Sequence, residues 1–225
     1  MKIFYRCVVL GLALMLTTQL SAQMSSTEAN LMGHIDFLTS RKLMGRKAGS
    51  DGELQAAKYI YGQFKDRGLI LLSDANGQDF TIVSDGDSLK SRNIVGIVEG
   101  YDPVLKNEYI VIGANMDNIG TNLLTVNGEQ QLQVFPGADA NASGVACLIE
   151  LAGMVANSSF MFKRSVVFVA FGAKEEGMAG SWYFVNRSFA QKDDISMMVD
   201  LNMVGRSGNN NYFTYFIRYI FINLY

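Results

Sequence analysis

Histidine is almost missing from this sequence: among 225 residues only His34 carries an imidazole. One imidazole makes no catalytic zinc centre, which usually needs about three nitrogen, sulfur or carboxylate donors from the protein. His34 falls in the first helical stretch, far along the chain from the acidic clusters, and reads as a surface or helix-flanking residue. Cysteine is equally scarce. Cys7 lies in an apolar leader, so only Cys147 remains for the folded part and no internal disulfide forms. Its setting, Gly144-Val145-Ala146-Cys147-Leu148-Ile149, marks it as a small buried side chain rather than a reactive thiol. Charge runs, internal repeats and low-complexity stretches are also missing. The net charge is -2 with no basic stripe, which argues against a nucleic-acid partner.

Apolar residues, by contrast, are plentiful: they make up 49% of the chain, enough for one sizeable core. Met1 to Arg6 is basic, Cys7 to Leu16 is apolar but too short to span a bilayer, and Leu20-Ser21-Ala22-Gln23 is small and polar. That order is the pattern of a secretory leader over residues 1–22, cut after Ala22, and it predicts an exported protein with no stable membrane span afterwards. Residues 23–206 read as one domain. Residues 207–225 form an aromatic tail without sustained periodicity, left unassigned.

Within the domain the spacing predicts a helix over Ser25 to Leu38, a glycine-rich loop over Leu43 to Gly52, and a helix over Glu53 to Arg67. Asn76 to Leu89 reads as a loop or short edge hairpin. Ile94 to Val98 and Glu108 to Gly113 are β-branched runs joined through Gly100 and Pro103, as two paired strands would be. Asn141 to Ala156 and Met178 to Ala190 read as helices. Ser165 to Phe171 is too continuously apolar for a strand with one wet face, which predicts a central strand covered on both faces. Ile195 to Leu201 is a further strand. Strands alternating with helices predict a three-layer α/β fold, a mostly parallel mixed sheet with helices on both faces. Trp182 and Tyr183 are expected in the core or a pocket wall.

In such sheets, sites form beyond the carboxyl ends of the strands. The polar clusters fall there: Asn115-Met116-Asp117-Asn118, Lys174-Glu175-Glu176 and Asp200-Leu201-Asn202, with Asp139-Ala140-Asn141 at a helix entrance. Each alone could be a cap or a solvated turn; their convergence points to one site.

Several pieces carry a resemblance: Leu43-Met44-Gly45-Arg46 with Gly49-Ser50-Asp51-Gly52, Pro136-Gly137-Ala138-Asp139 with Asn141 to Val145, Phe171-Gly172-Ala173 with Glu175, Gly177 to Ser181, and Met203 to Arg206. In that order the chain resembles the co-catalytic zinc aminopeptidases, a family that includes the glutaminyl cyclases and has a phosphorylase/hydrolase-like fold. The resemblance implies two zinc ions held by His, Asp and Glu side chains, with a Glu as general base. Matched residue by residue, most of these are replaced. Asn115 stands at a His ligand, Asn118 at its neighbouring His, Ala140 at the bridging carboxylate, Lys174 at the general base and Asn202 at a ligand Asp. Only the orienting Asp117 and the ligand Glu175 are retained. The resemblance also implies a distant last His and further elements, and the change after Arg206 fits a truncated or frame-shifted end.

Amide oxygens are poor zinc donors, alanine offers none, and an ammonium at position 174 repels divalent ions. No cofactor is therefore expected, although zinc serves the family resembled. An oxygen-only site of Asp117, Asp139, Glu175, Glu176 and Asp200 for calcium or magnesium is the lesser reading. A Lys174–Glu175 or Lys174–Asp117 ion pair in place of the metal charge is preferred to it. Three functions stay open: an inactive relative with peptides in the vestigial cleft, a weakly active metal-dependent aminopeptidase, and a peptide-binding or scaffolding module.

Overall fold

The structure, a computed structural model, describes residues 26–84, 86–188, 194–206 and 218–219. The expected leader and nearly all of the aromatic tail lie outside them. The chain opens with helix α1 over residues 26–39. Helix α2 (Asp51–Asp66) starts where the Ser50 side chain accepts the Glu53 amide, and its stripe of Ala56, Ala57, Ile60 and Phe64 is buried. Gly68, at φ +79°, follows its end.

Strands β1 (Ile70–Leu71), β2 (Gln78–Ser84) and β3 (Asp87–Val98) come next, then β4 (Tyr109–Asn115). The polar stretch after Asn76 is thus a hairpin, and its second arm runs on without a break as the core strand containing Ile94 to Val98. After β4 comes a separate two-stranded hairpin of β5 (Thr121–Val126) and β6 (Glu129–Val134). Its turn is Asn127-Gly128, both with positive φ, the two-residue signature of a tight hairpin. Helix α3 (Gly144–Asn157), strand β7 (Ser165–Phe171), helix α4 (Ala179–Tyr183) and strands β8 (Ile195–Asp200) and β9 (Arg218–Tyr219) complete the chain.

The main sheet has the order β1-β3-β7-β4-β8-β9, with β2 on the other half of β3. Every residue of β7 is buried, as its unbroken apolar run predicts. Strand β7 also corrects the expected pairing of β3 with β4: it lies between them, antiparallel to β3 and parallel to β4. The Gly100 connection passes so close to the start of β7 that a Cβ there would meet the Lys163 carbonyl at 2.3 Å. The Gly100 amide also donates to the Ser165 hydroxyl, so the link steps under β7 rather than closing a hairpin.

One face of the sheet is covered by α1, α2 and α3, with Leu38, Ile60, Phe64, Leu148 and Phe168 in a single core. Burying side chains of this size contributes roughly 1.5–3 kcal/mol each. The other face packs Phe184 against Val95, Val167 and Phe171. Helices α3 and α4 are shorter than their patterns suggest. Helix α3 is preceded by an irregular turn over Ala138–Ser143, non-helical at Ala140 and Asn141, whose shared peptide bond is cis. Helix α4 gives way at Phe184 to a wider turn (Phe184–Ser188), which sets Phe184 edge-on to Phe171. The stretch Ala138–Asn157 is long and apolar enough to cross a bilayer, but more than half of it is buried in this fold.

Three placements differ from expectation. Trp182 is exposed rather than in the core, while Tyr183 stacks on Phe80 at 5.1 Å. Cys147 is only half-buried. His34 is not a surface residue: only 6% exposed, it sits among the helices with Nδ1 2.6 Å from the Tyr59 hydroxyl and Nε2 3.1 Å from Glu150. Polar partners from α2 and α3 make that burial affordable for an imidazole.

Candidate functional site

Parallel registers align the ends of three strands. Asn115 on β4 pairs with Phe171 on β7, and Gly113 on β4 with Asp200 on β8. The loops that leave β4, β7 and β8 therefore emerge side by side, with the turn before α3 beside them. The four polar clusters named from the sequence do converge.

Asp117 is their centre. It has no exposed surface, and its carboxylate accepts the backbone amides of Lys174 at 2.9 Å and Glu175 at 3.1 Å. Burial pushes its carboxyl up to about 6, against the pull of those amides toward the charged form. The Lys174 ammonium pairs elsewhere. It lies 2.7 Å from Glu175 Oε1, with both side chains about one-third exposed. Of the two ion pairs considered, Lys174–Glu175 is the one formed. Its exposure limits it to a weak contribution, about 1 kcal/mol or less.

Two of the positions that the resemblance reads as replaced, Asn115 and Asn118, are engaged with the backbone. The Asn115 side-chain amide donates to the Asp117 carbonyl at 3.3 Å, and that of Asn118 to the Phe135 carbonyl at 3.0 Å. Asn141, beside Ala140, donates to the carbonyls of Asn115 (3.2 Å) and Leu201 (2.9 Å) and accepts the Met203 amide (2.9 Å). Asn202 lies half-buried between Leu201 and Met203, the two residues that Asn141 bridges. Asp139 accepts the Gly205 amide and pairs with Arg206 at 3.0 Å. Glu176 turns away from the cluster, accepting the Ser84 hydroxyl of the β2 strand at 2.5 Å.

This donor set does not fit zinc. At the positions that the resemblance gives to ligands, Asn115 offers only a neutral amide oxygen, Ala140 has no donor atom, and the Glu175 carboxylate is paired with the Lys174 ammonium. Nor do the acidic residues form an oxygen cage. Asp117, Asp139 and Glu176 each face a different protein partner, and among the described residues no three His, Cys, Asp or Glu side chains gather to hold an ion. His34 belongs to the helical layer with Tyr59, Arg67 and Glu150.

Arg46 and Glu53, two charged residues with almost no exposed surface, escaped the sequence reading. Arg46, 1% exposed, donates to the carbonyls of Leu38, Met116, Pro136 and Gly137. Burial lowers its pKa to about 10, which the nearby Asp117 opposes. Glu53, fully buried on α2, accepts the Gly49 amide at 2.8 Å and the Ser91 hydroxyl at 2.5 Å. Burial raises its carboxyl to about 7. A Cβ at Gly172 would meet Glu53 Oε1 at 2.6 Å, so this carboxyl lies directly beneath the loop that carries Lys174 and Glu175. Arg46 stands in a glycine-rich loop and Glu53 in the acidic first turn of a helix, settings in which neither charge signals burial.

The same region carries the likeness to known proteins. The family model described as Peptidase family M28 matches residues 93–220, more than half of the chain. A protein named probable zinc metalloprotease from Pyrenophora tritici-repentis is 31% identical over 101 residues, covering 45% of this chain and 22% of that protein. Leupeptin-inactivating enzyme 1 of Streptomyces exfoliatus is 26% identical over 191 residues, covering 83% of this chain and 38% of the enzyme. Among solved structures, LapB from Legionella pneumophila superposes with a TM-score of 0.56 at 26% identity, covering 81% of this chain and 45% of LapB. The chain thus spans less than half the length of each. With an α/β sheet whose strand-end loops fall inside the matched residues, the chain belongs to peptidase family M28.

Proposed function

We propose that this chain is an exported, catalytically inactive domain of the metallopeptidase family. The observation that carries the proposal is Lys174: where a general base is needed to accept a proton from water, an ammonium sits 2.7 Å from the carboxylate of Glu175. A charged ammonium accepts no proton, and it neutralises the one ligand carboxylate left. Asn115 and Ala140 remove two further donors, and zinc without them has no three-ligand site at which to lower the pKa of water. Export rests on the leader pattern of residues 1–22. Peptides held at the strand ends without hydrolysis are the ligand class that fits this descent.

The test is turnover of amino-acid arylamides by the purified mature chain, with its metal content measured in parallel. No turnover above buffer with or without added zinc is the expected result. Turnover that a chelator abolishes would sink the proposal and favour a working aminopeptidase. A peptide bound tightly without turnover would support both the inactivity and the proposed ligand class. Secretion is checked separately by sequencing the amino terminus of the released protein, expected to begin at Gln23.

A further inference from the structure

Loops that surround a metal centre are commonly tied together by the ion they share, so a domain that has lost its ligands needs another tie. Three buried side chains supply bonds of that kind here. The Arg46 guanidinium presents five donors in a fixed plane. Its Nε reaches the Met116 carbonyl at 2.9 Å, Nη1 the carbonyls of Leu38 and Pro136, the latter at 2.8 Å, and Nη2 the Gly137 carbonyl at 3.1 Å. It therefore binds the end of α1, the exit of β4 and the loop before α3 at once. The Arg46 backbone carbonyl adds a bond from the Asn118 amide at 3.1 Å.

Asp117 joins the exit of β4 to the exit of β7 through two successive amides, at a turn where Ala173 has φ +53°. Asn141 joins the turn before α3 to the exits of β4 and β8, using both amide hydrogens and its oxygen. Together the three connect every loop at the strand ends, and each is almost wholly buried, at 1%, 0% and 1% exposure. The charges of Arg46 and Asp117 favour one another, which offsets part of the cost of burying both.

Given the degenerate metal site, we infer that Arg46, Asp117 and Asn141 assemble the strand-end loops by protein hydrogen bonds alone, so that the fold of this region needs no divalent cation. The expected behaviour is specific. Adding a chelator or zinc to the mature chain leaves its melting temperature within about 1 °C, because an ion stabilises only what it binds in the folded state. The bridging amides of Lys174, Glu175 and Met203 exchange slowly with deuterium, and equally slowly in the presence of chelator. Asn141→Ala lowers the melting temperature by roughly 5–10 °C, since it orphans three backbone groups at once, whereas Lys174→Ala changes it by about 2 °C or less.

Hydrogen exchange on the unaltered chain keeps the inference testable even where a variant fails to fold. Fast exchange of the three amides in both buffers overturns it, as does protection that chelator removes. Bound zinc whose removal leaves the protection unchanged would sink the proposed loss of metal binding while supporting the inference. Protection in both buffers with no zinc bound supports both.

Discussion

Replacing Glu53 with glutamine isolates the cost of keeping a carboxyl group buried under the strand-end loops. Glu53 is held by two bonds, from the Gly49 amide at 2.8 Å and the Ser91 hydroxyl at 2.5 Å. Glutamine keeps both. Its oxygen accepts the amide, and its NH2 donates to the Ser91 oxygen, because a hydroxyl accepts as readily as it donates. What the substitution removes is the charge. Burial raises the carboxyl from 4.5 to about 7. At about 1.4 kcal/mol per tenfold change, that rise corresponds to roughly 3 kcal/mol. Because the folded value is raised, the stability this group contributes is fully present below pH 4.5 and is lost as pH rises through about 7. Glu53→Gln should therefore match the parent at pH 4.5 and exceed it at pH 8.5 by up to about 3 kcal/mol. For a chain of this size that is roughly 6–12 °C in melting temperature. Calorimetric melts of both proteins at the two pH values make the test. A difference of the same size at both would refute the reasoning, since only titration of Glu53 separates the two conditions.

His34 carries a linkage of opposite sign. Its folded pKa is lowered, first by burial and then by Arg67, against the bond to Glu150. Its contribution is present above pH 6.5 and lost as pH falls below it, so between pH 6.5 and 5 the parent should lose melting temperature faster than His34→Gln. Parallel curves would contradict this. Gly180→Ala places a Cβ 2.1 Å from the Gly172 carbonyl oxygen and 2.6 Å from Asn93 Oδ1. Backbone resists such a shift, and urea denaturation should show a loss of about 1–3 kcal/mol with an unchanged slope.

The parts of the fold that were legible in the sequence are those in which a local pattern and its tertiary setting agree. The uninterrupted apolar run of Ser165 to Phe171 announced a strand covered on both faces, and β7 is central and fully buried. The neighbours of that strand were not legible. Nothing local to Gly100 tells a hairpin from a link that passes beneath a strand arriving 65 residues later, where the Gly100 amide meets Ser165. The β5–β6 hairpin carried a local signature in Asn127-Gly128, but its arms alternate weakly and most of their residues are exposed. At the site, the positions read as replaced could be named because each lies in a short motif that the resemblance matches. Arg46 and Glu53 could not be assigned a role, because their partners lie on segments distant in sequence, such as Met116 and Ser91. For His34, one imidazole in a helix gave no hint of Tyr59, Arg67 and Glu150 closing around it.

The central claim is that this member of the family has lost its zinc site through Asn115, Ala140, Lys174 and Asn202. Calorimetric titration of zinc into the purified mature chain, beside a variant carrying Asn115→His, Ala140→Asp, Lys174→Glu and Asn202→Asp, tests it most directly. Disturbing one residue outside the ligand shell already changes metal affinity by roughly 10–100-fold, so restoring three ligands and removing the Lys174 ammonium should tighten binding by more than about 100-fold. The account predicts no stoichiometric binding to the unaltered chain and a clear gain in the variant. Stoichiometric, micromolar zinc binding by the unaltered chain would contradict it.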